Sequence, residues 1–255
     1  MLKTERHNII LSVLKEEGVV SVSALNELLH VSSMTIRRDL SELEEAGLLL
    51  KVHGGAQSID FNKQSELSHY EKKEINIDEK REVAEIAASL INEKDTIFLG
   101  PGTTIELMSE FIQCDYIRIV TNSLPVFEKF KDNSSYEIYL IGGVYRERTG
   151  AFVGGLTSEI IKSLKFQKAF IGTNGIKNKD IYTANIEEGS NQKLILDNSL
   201  YKIIVADHHK LGKEDFNAFY TLDKVDLLVT DRSISNSKKK TYEKYVNILH
   251  DIKDV

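Results

Sequence analysis

Val31-Ser32-Ser33-Met34-Thr35-Ile36-Arg37-Arg38-Asp39-Leu40 opens with a hydroxyl suited to cap a helix. It then places Ile36, Leu40 and, further on, Leu43 on one helical face. The spacing predicts a helix from Ser33 to Ala46, with Gly47 as its stop. Toward the N-terminus, Val31 fits a tight turn. Ser23 is the expected cap of a second helix ending at His30, with Leu25, Leu28 and Leu29 buried. Val19-Val20-Ser21-Val22 reads as extended. Residues 4–17 form a first helix with Arg6, Ile10, Val13 and Leu14 on its inner face, ended by Gly18. Toward the C-terminus, Leu48-Leu49-Leu50-Lys51-Val52 is strand-like and His53-Gly54-Gly55 is a turn. Three short helices with a tight turn between the second and third describe a helix-turn-helix, and the strand and turn add a wing.

The outward positions of the third helix are Ser33, Met34, Thr35, Arg37 and Arg38, all in its first two turns. A recognition helix presents that end to base edges. Arginine can grip guanine with two hydrogen bonds, and Ser and Thr can bond bases or phosphates. Lys51 and His53 on the wing would reach the flanking backbone. Two arginines alone are more simply read as a solvated face paired with Asp39 or Glu42, so the surrounding helix pattern carries the expectation of DNA binding. Placement must do so as well. Over residues 1–57, Lys3, Arg6, Lys15, Arg37, Arg38 and Lys51 are outnumbered by acidic residues.

The whole chain has 255 residues and a formal net charge of −6, which argues against a broadly basic coat for nucleic acid. At roughly 150 residues per domain it fits a small domain joined to a larger one. A single cysteine, Cys114, excludes an internal disulfide framework and a Cys-based zinc finger and fits a reducing cytoplasm. Cys114 follows an apolar helix and reads as a plain buried thiol. No apolar run is long enough for a membrane span, and the charged start has no signal-peptide pattern.

Residues 58–76 are polar and aperiodic and read as a linker, with Phe61, Leu67 and Tyr70 as scattered anchors. From residue 77 to 255, helical patterns alternate with short apolar strands: Thr96–Leu99, Tyr116–Val120, Tyr136–Ile141, Lys168–Ile171, Lys202–Ala206 and Val225–Thr230. Repeated βαβ units imply an α/β domain with a mostly parallel open sheet. Ligands bind such sheets at the carboxyl ends of the strands. Five small or polar clusters fall there: Gly100-Pro101-Gly102-Thr103-Thr104, Thr121-Asn122-Ser123, Gly142-Gly143, Gly172-Thr173-Asn174-Gly175 and Asp207-His208-His209-Lys210. The first has the chemistry of a phosphate cradle, although it is neither a Walker loop nor a dinucleotide fingerprint. The set suits a polyhydroxylated, phosphorylated ligand with Lys210 as countercharge.

The Thr35-Ile36-Arg37-Arg38-Asp39-Leu40 run, with His53-Gly54-Gly55-Ala56 at this spacing, resembles the winged helix-turn-helix signature of the DeoR family of bacterial repressors. The strand-end motifs are similar to that family's sensor domain, which resembles ribose-5-phosphate isomerase in fold. Gly100-Pro101-Gly102-Thr103-Thr104, Tyr139-Leu140-Ile141-Gly142-Gly143 and Gly212-Lys213-Glu214-Asp215-Phe216 look most like the lactose phosphotransferase-system repressors of Gram-positive bacteria. The resemblance implies operator binding by the third helix and release by a phosphorylated sugar, with tagatose 6-phosphate the inducer of that subgroup. The implied ligand residues are Gly100, Gly102, Thr103, Thr104, Thr121, Asn122, Ser123, Gly142, Gly143, Asn174, Glu188, Asp207 and Lys210. Where the family carries Glu-Ala followed by a lysine, this chain reads Glu188-Gly189-Ser190-Asn191-Gln192, with Lys193 next.

Asp207, Glu188 and Lys210 also offer acid–base groups of the kind a sugar-phosphate isomerase needs. A sensor needs the same groups for binding, and the attached reader helix favours regulation, so no catalysis is expected. No cofactor or metal is expected either: His208-His209 is a loop pair without further ligands at metal spacing. Lys238-Lys239-Lys240 reads as a solvated helix start. Operator two-fold symmetry leads to the expectation of a homo-oligomer, at least a dimer.

Overall fold

In the computed structural model, which describes residues 3–17, 19–52, 54–57 and 67–254, the Ser32 hydroxyl caps the third helix by accepting from the Thr35 amide at 3.2 Å. The chain divides into two units, Met1–Leu67 and Ser68–Val255. The first contains helices α1 (Lys3–Glu17), α2 (Val22–Leu29) and α3 (Ser33–Glu45) and strands β1 (Val19–Ser21), β2 (Leu50–Val52) and β3 (Gly55–Gln57). Its antiparallel sheet has the order β1-β3-β2. The core holds Ile10, Leu14, Val20, Leu25, Leu29, Ile36, Leu40, Leu43, Leu49 and Ala56.

The structure corrects three expectations here. Ser21, not Ser23, caps α2, accepting from the Ala24 amide, so the helix begins one residue before Ser23. Leu28 is 53% exposed, because the α2 face that packs is the one bearing Leu25 and Leu29. The extended run ends at Ser21, because Val22 opens α2; its Val19–Ser21 part is a strand as expected and joins the wing. Gly18 and His53 lie outside the described residues.

The second unit is built on seven strands: β4 (Thr96–Leu99), β5 (Arg118–Thr121), β6 (Glu137–Leu140), β9 (Phe166–Gly172), β12 (Ser199–Val205), β14 (Leu227–Val229) and β15 (Asn247–Leu249). Their order is β15-β14-β12-β9-β4-β5-β6, and every neighbouring pair is parallel. Both faces are covered, which explains the continuous apolar runs of the central strands. Ile97 and Leu99 face a cluster with Val83, Ala84 and Ala87 of α5 (Ile77–Ser89). Phe98, pointing the other way, packs edge-on against Phe166 at 5.1 Å in a cluster with Ile161 and Ile195. Strand order reverses beside β4, so the Gly100–Thr104 loop stands at the topological switch, where open parallel sheets leave a crevice.

Of the expected linker, residues 58–66 lie outside the described ones. Ser68 and Glu71 form a reciprocal capping box on a one-turn helix, α4 (His69–Lys73), which belongs to the second unit. Its His69 amide donates to the Arg148 carbonyl at 2.7 Å. The helix is too short to show periodicity. Also beyond the sequence reading are the hairpin β7 (Val144–Arg146) and β8 (Ala151–Val153) and the antiparallel sheet of β10 (Gly175–Lys177), β11 (Asp180–Thr183) and β13 (Asn217–Thr221). The remaining helices are α6 (Thr103–Leu107), α7 (Leu124–Phe130), α8 (Gly155–Ser163), α9 (Ile186–Asp197) and α10 (Asn236–Tyr242). Among the described residues, no helix is long and apolar enough to cross a membrane.

Candidate functional site

Helix α3 separates its faces cleanly. Ile36, Leu40 and Leu43 are buried, while Ser33, Met34, Arg37 and Arg38 are exposed and Thr35 is half-buried. The Ser33 hydroxyl accepts from Asn26 at 3.0 Å, and Thr35 shares a hydroxyl contact with Ser32 at 2.9 Å, so both are tied to the turn between α2 and α3. Arg38 pairs with Glu42 at 3.4 Å across one helical turn; Arg37 stands beside it, also exposed. Lys51 reaches from the wing to the Ser41 hydroxyl at 3.0 Å, and its amide donates to Glu44. The acidic end of the helix is therefore engaged internally.

Asp39, which sequence reasoning left to the surface, is buried. Arg6 donates to both its carboxylate oxygens, at 2.5 and 2.9 Å, and His7 lies at 3.2 Å. Burial alone would raise the Asp39 carboxyl, but the hydrogen bonds from Arg6 and His7 hold it below the usual range. This pair joins α1 to α3. His7, Asp39 and Glu42 could together offer ligand atoms to a metal. However, Arg6 already occupies Asp39, and Lys3 sits 2.5 Å from Glu42, so cationic side chains already supply the countercharge.

In the second unit, the predicted clusters gather at the carboxyl edge of the sheet. Thr103 and Thr104 open α6 and are buried, and Gly102 precedes them at φ +146°, a backbone setting that side chains rarely adopt. The most informative group beside this loop was missed. Lys80 on α5 is 4% exposed and donates to the Lys72 carbonyl. Burial, followed by the charges of Lys210 and Lys72, pushes its ammonium down to about 8, against the opposing pull of Asp207 and Glu106. Lys72 in turn donates to Asn174 Oδ1 at 3.2 Å, and Asn174 Nδ2 donates to Asp215 at 2.9 Å. Glu106 of α6 is bonded by His69. Three lysines thus converge where Gly100–Thr104, Asn174, Asp207 and Lys210 were expected to meet. A signal was present: Lys80 lies in phase with Val83, Ala84 and Ala87, on the apolar face of its helix.

Other expected ligand residues are already committed. The Ser123 hydroxyl caps α7 through Val126, and the Thr121 hydroxyl accepts from the Ser123 amide. Gly143 fits because Thr157 Oγ1 and the Val153 carbonyl lie where a Cβ would stand, so its lack of a side chain has a packing cause. The Gly142 carbonyl accepts from Thr157 at 2.9 Å. Glu188 opens α9, held by Arg146 at 3.1 Å and by Thr149. Gly100 and Asp207 are buried at their strand ends, and Asp207 caps the turn that carries Lys210. His208 is held by Asp231 through both its amide and ring, which explains the loop pair structurally. Gln192 is buried, whereas Lys193 is exposed and bonded to Asp197. Cys114 is half-buried and donates to the Ile91 carbonyl.

Comparison with known proteins agrees with both halves. Residues 6–62 match the DeoR-like helix-turn-helix domain, and residues 75–232 match the DeoR C-terminal sensor domain. The lactose phosphotransferase system repressor of Streptococcus mutans serotype c is 39% identical over 252 residues, covering 98% of this chain and 100% of that protein. Its namesake from Staphylococcus epidermidis is 41% identical over 251 residues, again covering 98% and 100%. Among solved structures, ribose 5-phosphate isomerase A from Neisseria gonorrhoeae is similar at 18% identity and TM-score 0.35, covering 52% of each chain. The enzyme from Methanocaldococcus jannaschii is similar at 15% identity and TM-score 0.39, covering 53% of this chain and 55% of that one. With a reader helix, a sensor-domain match and near-full-length relatives named as repressors, the chain belongs to the DeoR family of DNA-binding repressors.

Proposed function

We propose that the chain represses a sugar-utilisation operon and leaves its operator when a phosphorylated sugar, tagatose 6-phosphate or a related ketose phosphate, binds the second unit. The observation that carries this reading is Lys80. A buried ammonium crowded by Lys72 and Lys210 is unfavourable until an anion arrives, and it feels the charge of Glu106 on α6, the helix that Thr103 and Thr104 open. The phosphate would lie against Gly100, Gly102, Thr103, Thr104, Lys72, Lys80 and Lys210, with Asp207 and Asn174 orienting the lysines. Ser33, Met34, Thr35, Arg37 and Arg38 would read the operator, with Lys51 and His53 on its backbone. Relatives named as repressors, rather than enzymes, support a regulator. Two half-sites would call for at least a dimer, working in the cytoplasm. Inducer must bind the operator-free arrangement more tightly, or it could not release DNA.

The test is operator release against inducer concentration. Thr103→Ala removes a hydroxyl donor to a charged group, worth about 1.5–3 kcal/mol, so the variant should bind operator normally and need far more inducer. Coinciding curves for wild type and variant, or equal release by tagatose and tagatose 6-phosphate, would place the inducer elsewhere.

A further inference from the structure

Buried polar atoms nearly always find a partner. Among the described residues, Asn122 Oδ1, Asn191 Nδ2 and Gln192 Oε1 do not, and nor do side-chain atoms of Thr221, Thr230 and His250; the three amide residues are only 2%, 1% and 6% exposed. They approach one wall, the β7–β8 hairpin and its exit. Phe98 pairs with Val120, so Asn122 stands at the sheet edge level with Gly100 of the phosphate loop. The Phe152 amide donates to the Asn122 carbonyl at 2.7 Å, and Asn122 Nδ2 donates to the Phe152 carbonyl at 2.8 Å. That double grip fixes the amide and leaves Oδ1 over. Two residues along, the Gly154 carbonyl accepts from the Ser158 amide at 3.0 Å, and the Ser158 hydroxyl donates to Asn191 Oδ1 at 2.8 Å and so leaves Nδ2 over. Gln192 lies one helical turn beyond Glu188, whose carboxylate is held from the same hairpin by Arg146 and Thr149.

The two ends of the cleft therefore differ in kind. One holds three lysines. The other holds neutral amides offering two acceptors and one donor, beside an acid already paired with Arg146. Hydroxyl groups both donate and accept and match such a set, whereas a second anion would face the Glu188 carboxylate, which already holds Arg146. Resting on the sugar-phosphate reading above, we propose that Asn122, Asn191 and Gln192 are specificity-determining residues that read the hydroxyl-bearing end of the sugar. The ligand class is thereby a sugar monophosphate with a neutral polyol tail, not a bisphosphate or a sugar acid.

Affinities of the full chain for inorganic phosphate, tagatose 6-phosphate, its epimer fructose 6-phosphate and fructose 1,6-bisphosphate test this, with Gln192→Met as the apolar variant of similar length. The variant should lose about tenfold in affinity for the preferred monophosphate and discriminate less between the epimers, while inorganic phosphate binds as before. The wild type should bind the bisphosphate less well than the preferred monophosphate, a comparison that needs no variant. The proposal is overturned by an unchanged monophosphate affinity, by an equal loss for inorganic phosphate, or by a wild type that prefers the bisphosphate. A wild type that binds neither phosphate nor any sugar phosphate removes the sensor reading and this subsite together; binding that Gln192→Met leaves intact removes the subsite alone.

Discussion

Asp39 in the first unit and Lys80 in the second are both buried, and their surroundings treat the charge in opposite ways. In the reader, Asp39 is met by Arg6 and His7, so opposite charges and hydrogen bonds stabilise the ionised form. In the sensor, Lys80 is flanked by Lys210 and Lys72, with Asp207 and Glu106 only partly offsetting them. A buried charge with its partner inside the fold holds helices together. A buried charge among like charges is a standing cost that an anionic ligand relieves. On the reading proposed above, the contrast assigns Asp39 to the fold and Lys80 to the ligand.

Removing Asp39 gives the largest expected effect. Asp39→Ala leaves Arg6 largely buried and unpaired, which costs about 3–5 kcal/mol. So small a domain has only marginal stability to spare, so the first unit should melt and operator binding should disappear. Calorimetry should show the transition of the second unit unmoved, with inorganic phosphate still bound. Because the Asp39 carboxyl is held low, its stabilising contribution is present above the ordinary aspartate range and is lost as pH falls through the depressed value. In the wild type, acid should therefore destabilise the first unit through Asp39, and Asp39→Asn should flatten that dependence. Operator affinity surviving Asp39→Ala would break the contrast at its reader end.

Changes to the outer face of α3 should be smaller and confined to DNA. Arg37→Ala and Arg38→Ala should each weaken operator binding by about 1–3 kcal/mol where the arginine makes a two-point base contact. Stability should hold, because the exposed Arg38–Glu42 pair is worth about 1 kcal/mol or less. Salt titrations sharpen the assignment. A base contact relaxes specificity, whereas a phosphate contact lowers the salt slope by about one. An operator affinity untouched in the double variant would mean that another surface reads DNA.

What the sequence made legible follows from how local each signal is. Thr96–Leu99 was delimited correctly because an apolar run is bounded by Asp95 and Gly100. The α3 limits follow from Ser32 and Gly47. The start of α2 was misplaced at Ser23, because only the contact from Ala24 to Ser21 decides it. The three-residue strands of the β7–β8 hairpin and the single turn of α4 are too short for periodicity to register, since pairing partners across the chain stabilise them. The glycine and threonine side of the cleft was visible as strand-end clusters. On the lysine side Lys210 was visible, but Lys72 and Lys80 were not, because Lys72 lies in a polar stretch and Lys80 sits among apolar neighbours. The charges converge only when α4 and α5 fold against the strand ends.

The sensor end of the contrast can be tested through protons. Lys80 titrates at about 8, below the ordinary lysine value of roughly 10.4. The stability contributed by its neutral form is fully present above the ordinary value and is lost as pH falls through about 8; below that, the fold holds a buried ammonium. A bound phosphate dianion favours that ammonium and raises its pKa again, so binding near pH 8.5 must take up protons. Phosphate affinity should be strongest below about pH 8 and fall as pH rises, by at most about tenfold per pH unit. Calorimetry in two buffers of different ionisation enthalpy reads the uptake directly. Lys80→Met should bind phosphate more weakly at pH 7 and show less uptake at pH 8.5, while operator binding in the absence of ligand is retained. An affinity that stays flat from pH 7 to about 9.5 would mean that the anion never meets Lys80, and the buried lysine would then serve only its bond to the Lys72 carbonyl.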